Sequence, residues 1–184
     1  MSMRHALVLL PLLLVPTATY GQRPTVTGLR EMRALAALVG EWEGSGWVDA
    51  GPNGRIPFTV HESARWAAGG TVLVLDGLGL QKLEDGTEQA VHQAFAVVSW
   101  DADEGTYRMR AYRAGGGEVT DRPTVGDGHL SWGFHDPRVG QIRFTLSIDE
   151  DSWHEVGERS GDGASWQPFL EMSLRRTGSS SPGS

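Results

Sequence analysis

The chain has 184 residues, no cysteine and a formal net charge of −7, from 16 lysines and arginines against 23 aspartates and glutamates. The lack of cysteine excludes disulfides, thiolate metal sites and a cysteine nucleophile. Because an acidic surface without a basic cluster repels phosphate backbones, we expect no nucleic-acid partner. A chain of this length can bury an adequate core as one domain.

Residues 1–21 have the features of a secretory signal peptide. Arg4 gives a positive start, residues 6–15 form a largely apolar run, and Gly21 is a small residue suited to a cleavage site, although a cut nearer Ala18 also fits. The run is shorter than the roughly 20 residues that a membrane-spanning helix requires. We expect a secreted or periplasmic protein with no stable membrane insertion after leader removal; an uncleaved anchor is the alternative.

The hydrophobic pattern of the rest of the chain changes once. Residues 22–27 are a polar lead-in, and apolar residues then recur at helical spacing over residues 29–39, up to a stop at Gly40. Beyond Gly40 the apolar residues alternate with a period of two, in about ten short segments separated by glycine-containing turns. Residues 177–184 consist mainly of glycine, serine and proline, which predicts a disordered tail.

This pattern predicts an all-β fold over residues 28–176: a single closed antiparallel up-and-down barrel of about ten strands with one short N-terminal helix. The lack of helical crossovers excludes a parallel α/β fold. Because a long meander exposes two edges unless it closes on itself, we favour a barrel over the alternative, an open sandwich of two sheets. Gly44 and Gly46 leave one face of the first strand bare, so another segment or a ligand can approach its backbone.

The opening of the β region resembles a known group of barrels. The motif Gly40-x-Trp42-x-Gly44-x-Gly46, directly after a short helix, is similar to the start of calycin-type barrels, which include lipocalins, fatty-acid-binding proteins and nitrobindins. Residues 35–176 more closely resemble an uncharacterised family of bacterial secreted proteins with a lipocalin-like domain. The segments that carry this resemblance are 38–42, 91–94, 107–112, 153–158 and 168–176.

The resemblance also bears on cofactors and metals. Nitrobindin-like barrels hold haem through a histidine early in the last strand, and Phe169 stands at the matching position here. Since phenylalanine cannot ligate iron, the resemblance implies a barrel without haem, unless another histidine substitutes. The pairs His61-Glu62 and His154-Glu155 do not complete a zinc motif, and neighbours on a strand face opposite ways, so no metal site is expected.

Several charged residues lie within apolar segments. Glu62, Asp76 and Glu155 have the same parity as the apolar residues around them. A buried carboxylate requires a partner, and such a polar patch inside an apolar cavity would orient a ligand. The alternative is that bulges shift the register and place the carboxylates in solvent, which we favour for Asp76 beside Gly77.

The expected binding site adds a histidine that lies among alanines. Small neighbours leave room around the His92 imidazole, which would act as a ligand contact or general base, or else as a histidine with one structural hydrogen bond. Glu171 is included on the resemblance alone. The residues expected to line or rim the site are Glu62, His92, Arg110, His154, Glu155 and Glu171.

We therefore expect an extracytoplasmic barrel that binds a small, largely apolar molecule in its interior. One alternative is a hydrolase- or isomerase-type enzyme that uses His92 and a carboxylate in the same cavity. Another is a structural or interaction barrel whose interior is filled by tryptophans. The fold class alone cannot decide among these functions, and the sequence leaves the oligomeric state open.

Overall fold

The computed structural model describes residues 27–126 and 128–178. The predicted signal peptide, nearly all of the lead-in and residues 179–184 of the predicted tail lie outside these ranges. The helix α1 spans Leu29–Met32 and continues as a 3₁₀ segment, Arg33–Leu38, with further 3₁₀ turns at Gly51–Asn53 and Ala68–Gly70. The strands are β1 Gly40–Asp49, β2 Arg55–Ala67, β3 Val72–Lys82, β4 Glu88–Asp101, β5 Thr106–Arg113, β6 Glu118–Asp121, β7 Thr124–Gly126, β8 His129–Asp136, β9 Gly140–Asp149, β10 Ser152–Ser160 and β11 Gln167–Gly178.

The strands form one antiparallel sheet in the order β6-β5-β4-β3-β2-β1-β11-β10-β9-β8-β7. The prediction of an all-β, antiparallel up-and-down sheet with one short helix is confirmed. The first and last strands pair, with Trp42 opposite Arg176 and Gly44 opposite Leu174. The prediction of a closed barrel of about ten strands is wrong. The sheet is an open half-barrel of 11 strands whose edges are β6 and β7.

The opening between β6 and β7 has a local cause. The two edge strands have four and three residues, and only Arg122 and Pro123 separate them. Proline has no backbone N–H for a ladder, and very short edge strands limit unwanted pairing. In place of a ladder, the Gly133 amide of β8 donates a hydrogen bond of 2.8 Å to Asp121 Oδ2 on β6. We call this opening between β6 and β7 the seam. A side chain, that of Asp121, therefore bridges it.

The two glycines of β1 permit a close approach between the first and last strands. A Cβ at Gly44 would overlap the backbone carbonyl of Ser173, and a Cβ at Gly46 would overlap that of Glu171. This is the close backbone contact that the bare face of β1 predicts. Any larger residue would force β11 away from β1.

The helical segment covers one end of the half-barrel. Leu35 and Leu38 are buried within the main hydrophobic core. The Tyr107 hydroxyl at the start of β5 donates to the Glu31 carbonyl (2.6 Å), and Trp42 Nε1 donates to the Leu38 carbonyl (2.8 Å). The segment is thus attached to the sheet by both packing and hydrogen bonds. No helix among the described residues has the length and apolar character needed to cross a bilayer.

Strand β3 places Asp76 in solvent, which is the alternative favoured from the sequence, and it does so without a bulge in its ladder with β2. Leu73 and Leu75 are buried in the core, whereas Asp76 is exposed and Leu78 is 38% exposed. Both alternating sets of this strand are rich in apolar residues, so the period of two does not tell which set faces inward. The register of the neighbouring strands decides, and it places Asp76 on the outer face.

Candidate functional site

A cavity of about 430 Å³ lies inside the half-barrel. It is lined by the first half of β4 and the last half of β5, whereas the helical segment packs near the opposite end of β5 through Tyr107. The cavity therefore lies away from the covered end. Its walls are mainly apolar, and the aromatic side chains that line it are Tyr112, Trp132, Phe134, Phe144, Trp153 and Phe169.

Glu62 reaches this cavity from β2. The residue is 7% exposed, and its partner across the ladder on β3 is Gly77. A Cβ at Gly77 would overlap the Glu62 carboxylate, so this glycine provides the space that the carboxylate occupies. The structure thus places one carboxylate inside an otherwise apolar wall.

His92 faces Glu62 from β4. Its ladder partner is Gly79, but Leu80 pairs with Ala90, so Val91 is the extra residue of a bulge. A bulge of this kind changes the direction of neighbouring side chains. It leaves His92 Nε2 3.6 Å from Glu62 Oε1. The imidazole also stacks on Phe58, with ring centroids 6.2 Å apart and an interplanar angle of 17°.

Glu155 completes the polar part of the cavity from β10. It is 6% exposed, and Oε2 accepts a hydrogen bond of 3.2 Å from Trp153 Nε1. Burial and the nearby Glu62 carboxylate raise the pKa of Glu155 to about 7, against the smaller opposing effects of His92 and Trp153. This side chain can therefore gain or lose a proton near neutral pH.

The pKa of His92 reflects the same surroundings. Burial lowers its pKa, but the contact with Glu62 and the charges of Glu62 and Glu155 outweigh burial, so the net shift is upward. We call Glu62, His92 and Glu155 the interior acid–imidazole cluster. It has two carboxyl groups for one imidazole, so it favours cationic groups and hydrogen-bond donors.

The other three predicted site residues lie elsewhere. Arg110 has a side chain that is 54% exposed, with Nε 3.4 Å from Glu118 Oε1. His154 and Glu171 pair with each other at 3.2 Å, and both side chains are nearly half exposed. Glu171 also accepts a hydrogen bond of 3.2 Å from Trp47 Nε1. The structure therefore brings Glu62, His92 and Glu155 together and leaves these three outside the cavity.

Sequence reasoning missed two contributors to the site. Trp153 is not among the expected site residues, yet it donates to Glu155. Gly77 was noted only as a neighbour of Asp76, yet it makes room for Glu62. Glycines at alternate positions of β3, Gly77 and Gly79, are a visible sign of large side chains on an adjacent strand.

The positions of the histidines, the carboxylates and Phe169 bear on metal and haem ligation. Across residues 27–126 and 128–178, no group of three or more histidines, aspartates or glutamates is arranged to hold a metal ion. Phe169, at the position matched to the haem-binding histidine, lies in the cavity wall and packs edge to face on Phe144 with ring centroids 5.7 Å apart. The absence of haem stays a prediction.

Comparisons with known proteins give support for the fold only. No family model matches the chain, and no curated protein matches it. Among solved structures, Rv2717c from M. tuberculosis is similar, with 15% identity, 79% of this chain and 96% of that chain covered, and a TM-score of 0.58. A protein of the DUF3598 family from Nostoc punctiforme matches with 8% identity over 79% of this chain and 98% of that chain, but its TM-score is 0.22. The similarity to Rv2717c supports a curled antiparallel β fold.

Proposed function

We propose that the protein binds a small, largely apolar molecule inside the half-barrel. The observation that carries this proposal is the cavity of about 430 Å³, which has apolar and aromatic walls and three convergent polar side chains. Concave sites of this size, with a few placed polar groups in an apolar lining, are typical of small-molecule binding. The ligand's apolar part contacts the walls, and the interior acid–imidazole cluster orients it.

The distribution of large and small residues favours a binding cavity over a filled structural barrel. Trp42 and Trp153 pack edge to face in the core, with ring centroids 5.5 Å apart. Although Trp153 also borders the cavity, small side chains make up much of the cavity wall: Ala90, Ala94, Ala96, Ala111 and Ala114. Methyl groups at these positions leave the space that larger side chains would fill.

The test is to fill the cavity by mutation. We expect Ala111→Trp to weaken the binding of the neutral hydrophobic dye Nile red by about ten-fold or more, because an added indole occupies ligand volume and ten-fold corresponds to only about 1.4 kcal/mol. Fluorescence titration gives the affinity. Ala102→Trp, in an exposed turn, is the matched control and should bind like the wild type. Equal binding by both variants, or no uptake of apolar probes by the wild type, contradicts the proposal.

We also propose the finer classification and location of the protein. A short helix over one end and the pairing of β1 with β11 support a calycin-type, lipocalin-like protein that lacks haem. The leader-like residues 1–21 support a secreted or periplasmic location. A ligand site in such a protein would capture molecules outside the cytoplasm.

A second function is favoured by one observation, the proximity of an imidazole to two carboxyl groups inside the cavity. His92 Nε2 lies 3.6 Å from Glu62 Oε1, and the pKa of Glu155 is about 7, as suits general acid–base catalysis of hydrolase or isomerase type. The test is turnover across substrate panels. A bell-shaped pH–rate profile that is lost in His92→Ala but kept in His61→Ala, an exposed histidine, would establish an enzyme. Tight binding without turnover contradicts this second function.

A further inference from the structure

We infer that the ligand of this cavity is an apolar amine, whose ammonium group lies between Glu62 and Glu155. This inference rests on the proposed binding function and names the chemical class of the ligand. It follows from three features of the cavity: the charges, the unused hydrogen-bond acceptors and the aromatic walls.

Above the pKa of Glu155, which is about 7, the charges of the interior acid–imidazole cluster are unbalanced. Glu62 and Glu155 face one imidazole, that of His92. The other cationic side chain that lines the cavity, Arg113, is exposed and lies with its guanidinium carbon 5.9 Å from the centre of the Phe134 ring. Arg113 belongs to the rim, so it does not neutralise the buried carboxylates. A ligand cation supplies the missing charge.

The hydrogen-bond acceptors of the cluster also exceed its donors. Trp153 donates to Glu155 Oε2, whereas the one side-chain donor that faces Glu62 among the described residues, His92 Nε2, makes only a long contact of 3.6 Å with it. No fully buried side-chain oxygen or nitrogen of the described residues lacks a partner, so the free Glu62 oxygens are open to the cavity. A carboxylate that is 7% exposed and has one long contact is incompletely satisfied by the protein. An ammonium group, with three N–H donors, satisfies it.

The rest of the cavity fits an apolar body attached to the amine. Trp132 and Phe144 stack with ring centroids 5.0 Å apart, and Phe169 packs edge to face on Phe144. This aromatic wall and the cluster line the same cavity. A hydrophobic chain or ring can therefore contact the wall while its amino group reaches the carboxylates. A carboxylate-bearing ligand would instead meet two like charges.

The inference is tested with three probes that share a phenyl group on a four-carbon chain and differ at the last position: 4-phenylbutylamine, 4-phenylbutanol and 4-phenylbutanoate. Calorimetric titration at pH 8 should give the amine an affinity about ten-fold or more above the alcohol, and the carboxylate the weakest binding, since ten-fold is about 1.4 kcal/mol. Alcohol binding equal to amine binding overturns the amine inference and leaves the proposed function standing. Failure of all three probes and of Nile red overturns both.

Two cavity variants and one surface control locate the ammonium. Glu62→Gln and Glu155→Gln keep the side-chain shape but lose the charge, so each should reduce the amine's advantage over the alcohol, whereas the exposed Glu171→Gln should keep it. Circular dichroism checks folding. If one cavity variant does not fold, the other decides. Retention of the amine's advantage in a folded cavity variant contradicts the proposed location.

The pH dependence in the wild type is an independent readout. Because the pKa of Glu155 is about 7, the carboxylate that holds the ammonium forms as the pH rises from 6 to 8. Amine affinity should increase over this interval, and alcohol affinity should not. The groups facing Glu155 are Glu62 and His92. Loss of the proton from His92 also increases the affinity for the amine, because it removes a positive charge from the cavity. An amine affinity that falls or stays constant from pH 6 to 8 contradicts the inference.

Discussion

Two glutamates on neighbouring strands show how surroundings set the chemistry of one side-chain type. Glu155 of β10 faces the cavity, where burial is the main cause of its pKa of about 7. Glu171 of β11 lies on the outer face, where hydrogen bonds from His154 and Trp47 lower its pKa. The first can change its protonation near neutral pH, and the second stays ionised. Burial and hydrogen-bond partners, and not the residue type, therefore set the difference in pKa between the cavity glutamate and the surface glutamate.

The raised pKa of Glu155 predicts a pH-dependent stability. Since the folded state binds this proton more tightly than the unfolded state, the stability that Glu155 contributes falls as the pH rises from about 4.5 to about 7. The loss is on the order of 2–3 kcal/mol. Glu155→Gln lacks this titration. The difference in unfolding free energy between Glu155→Gln and the wild type should therefore become more favourable to the variant by that amount from pH 5 to pH 8, as measured by urea denaturation.

The control for this prediction is Glu171→Gln, which replaces a glutamate whose pKa is lowered. Its stabilising effect is lost only as the pH falls through the acid range, so it should show no such gain between pH 5 and pH 8. The raised pKa of His92 adds a loss of stability above about pH 6.5 in both variants. If the unfolding free energies of the wild type and Glu155→Gln had the same pH dependence, the raised pKa of Glu155 would be contradicted.

At the scale of elements, the seam between β6 and β7 is the main departure from a closed barrel. Each pair of neighbouring strands elsewhere in the sheet shares a hydrogen-bonded ladder. In contrast, β6 and β7 are the two edge strands and share none. The hydrogen bond from the Gly133 amide to Asp121 Oδ2 links β6 to β8. One side chain therefore replaces part of the ladder that closure would have provided.

The seam predicts a specific role for Asp121. Asp121→Ala removes the acceptor of the Gly133 amide, and we expect a loss of about 1 kcal/mol in unfolding free energy, the usual net value of one such hydrogen bond. Urea denaturation measures the loss, and amide exchange at Gly133 should become faster. Asp103→Ala, in an exposed turn, is the control and should leave both quantities unchanged. Unchanged exchange at Gly133 in Asp121→Ala would contradict the bridging role.

At the scale of the whole molecule, the core and the cavity adjoin within one half-barrel, and residues such as Leu75, Leu146 and Leu170 belong to both. The helical segment and buried residues such as Trp42 and Leu35 cover one end, and the aromatic wall with its acid–imidazole cluster lies toward the other. The packed end supplies the apolar burial that stabilises the fold. The other end can then keep a polar cluster in an apolar cavity, as a binding function requires.

Much of this architecture could be predicted from the local pattern. The change of period at Gly40 predicted a short helix followed by antiparallel strands, because each period reports which residues can share a face. The same alternation made the inward direction of Glu62 and Glu155 one of two open alternatives, and the structure buries both. The alternation of β3 did not indicate its direction, since Leu73 and Leu78 belong to opposite faces of a strand that is apolar on both.

The sequence by itself therefore determined the type of each element, their antiparallel order and the parity of two buried carboxylates. Only the tertiary structure decided that the sheet stays open at β6 and β7 and that His92 lies beside Glu62. The physical reason is that periodicity is a property of one strand. Register, bulges and seams depend instead on how neighbouring backbones compete for the same hydrogen bonds, and residues far apart in the chain set that outcome.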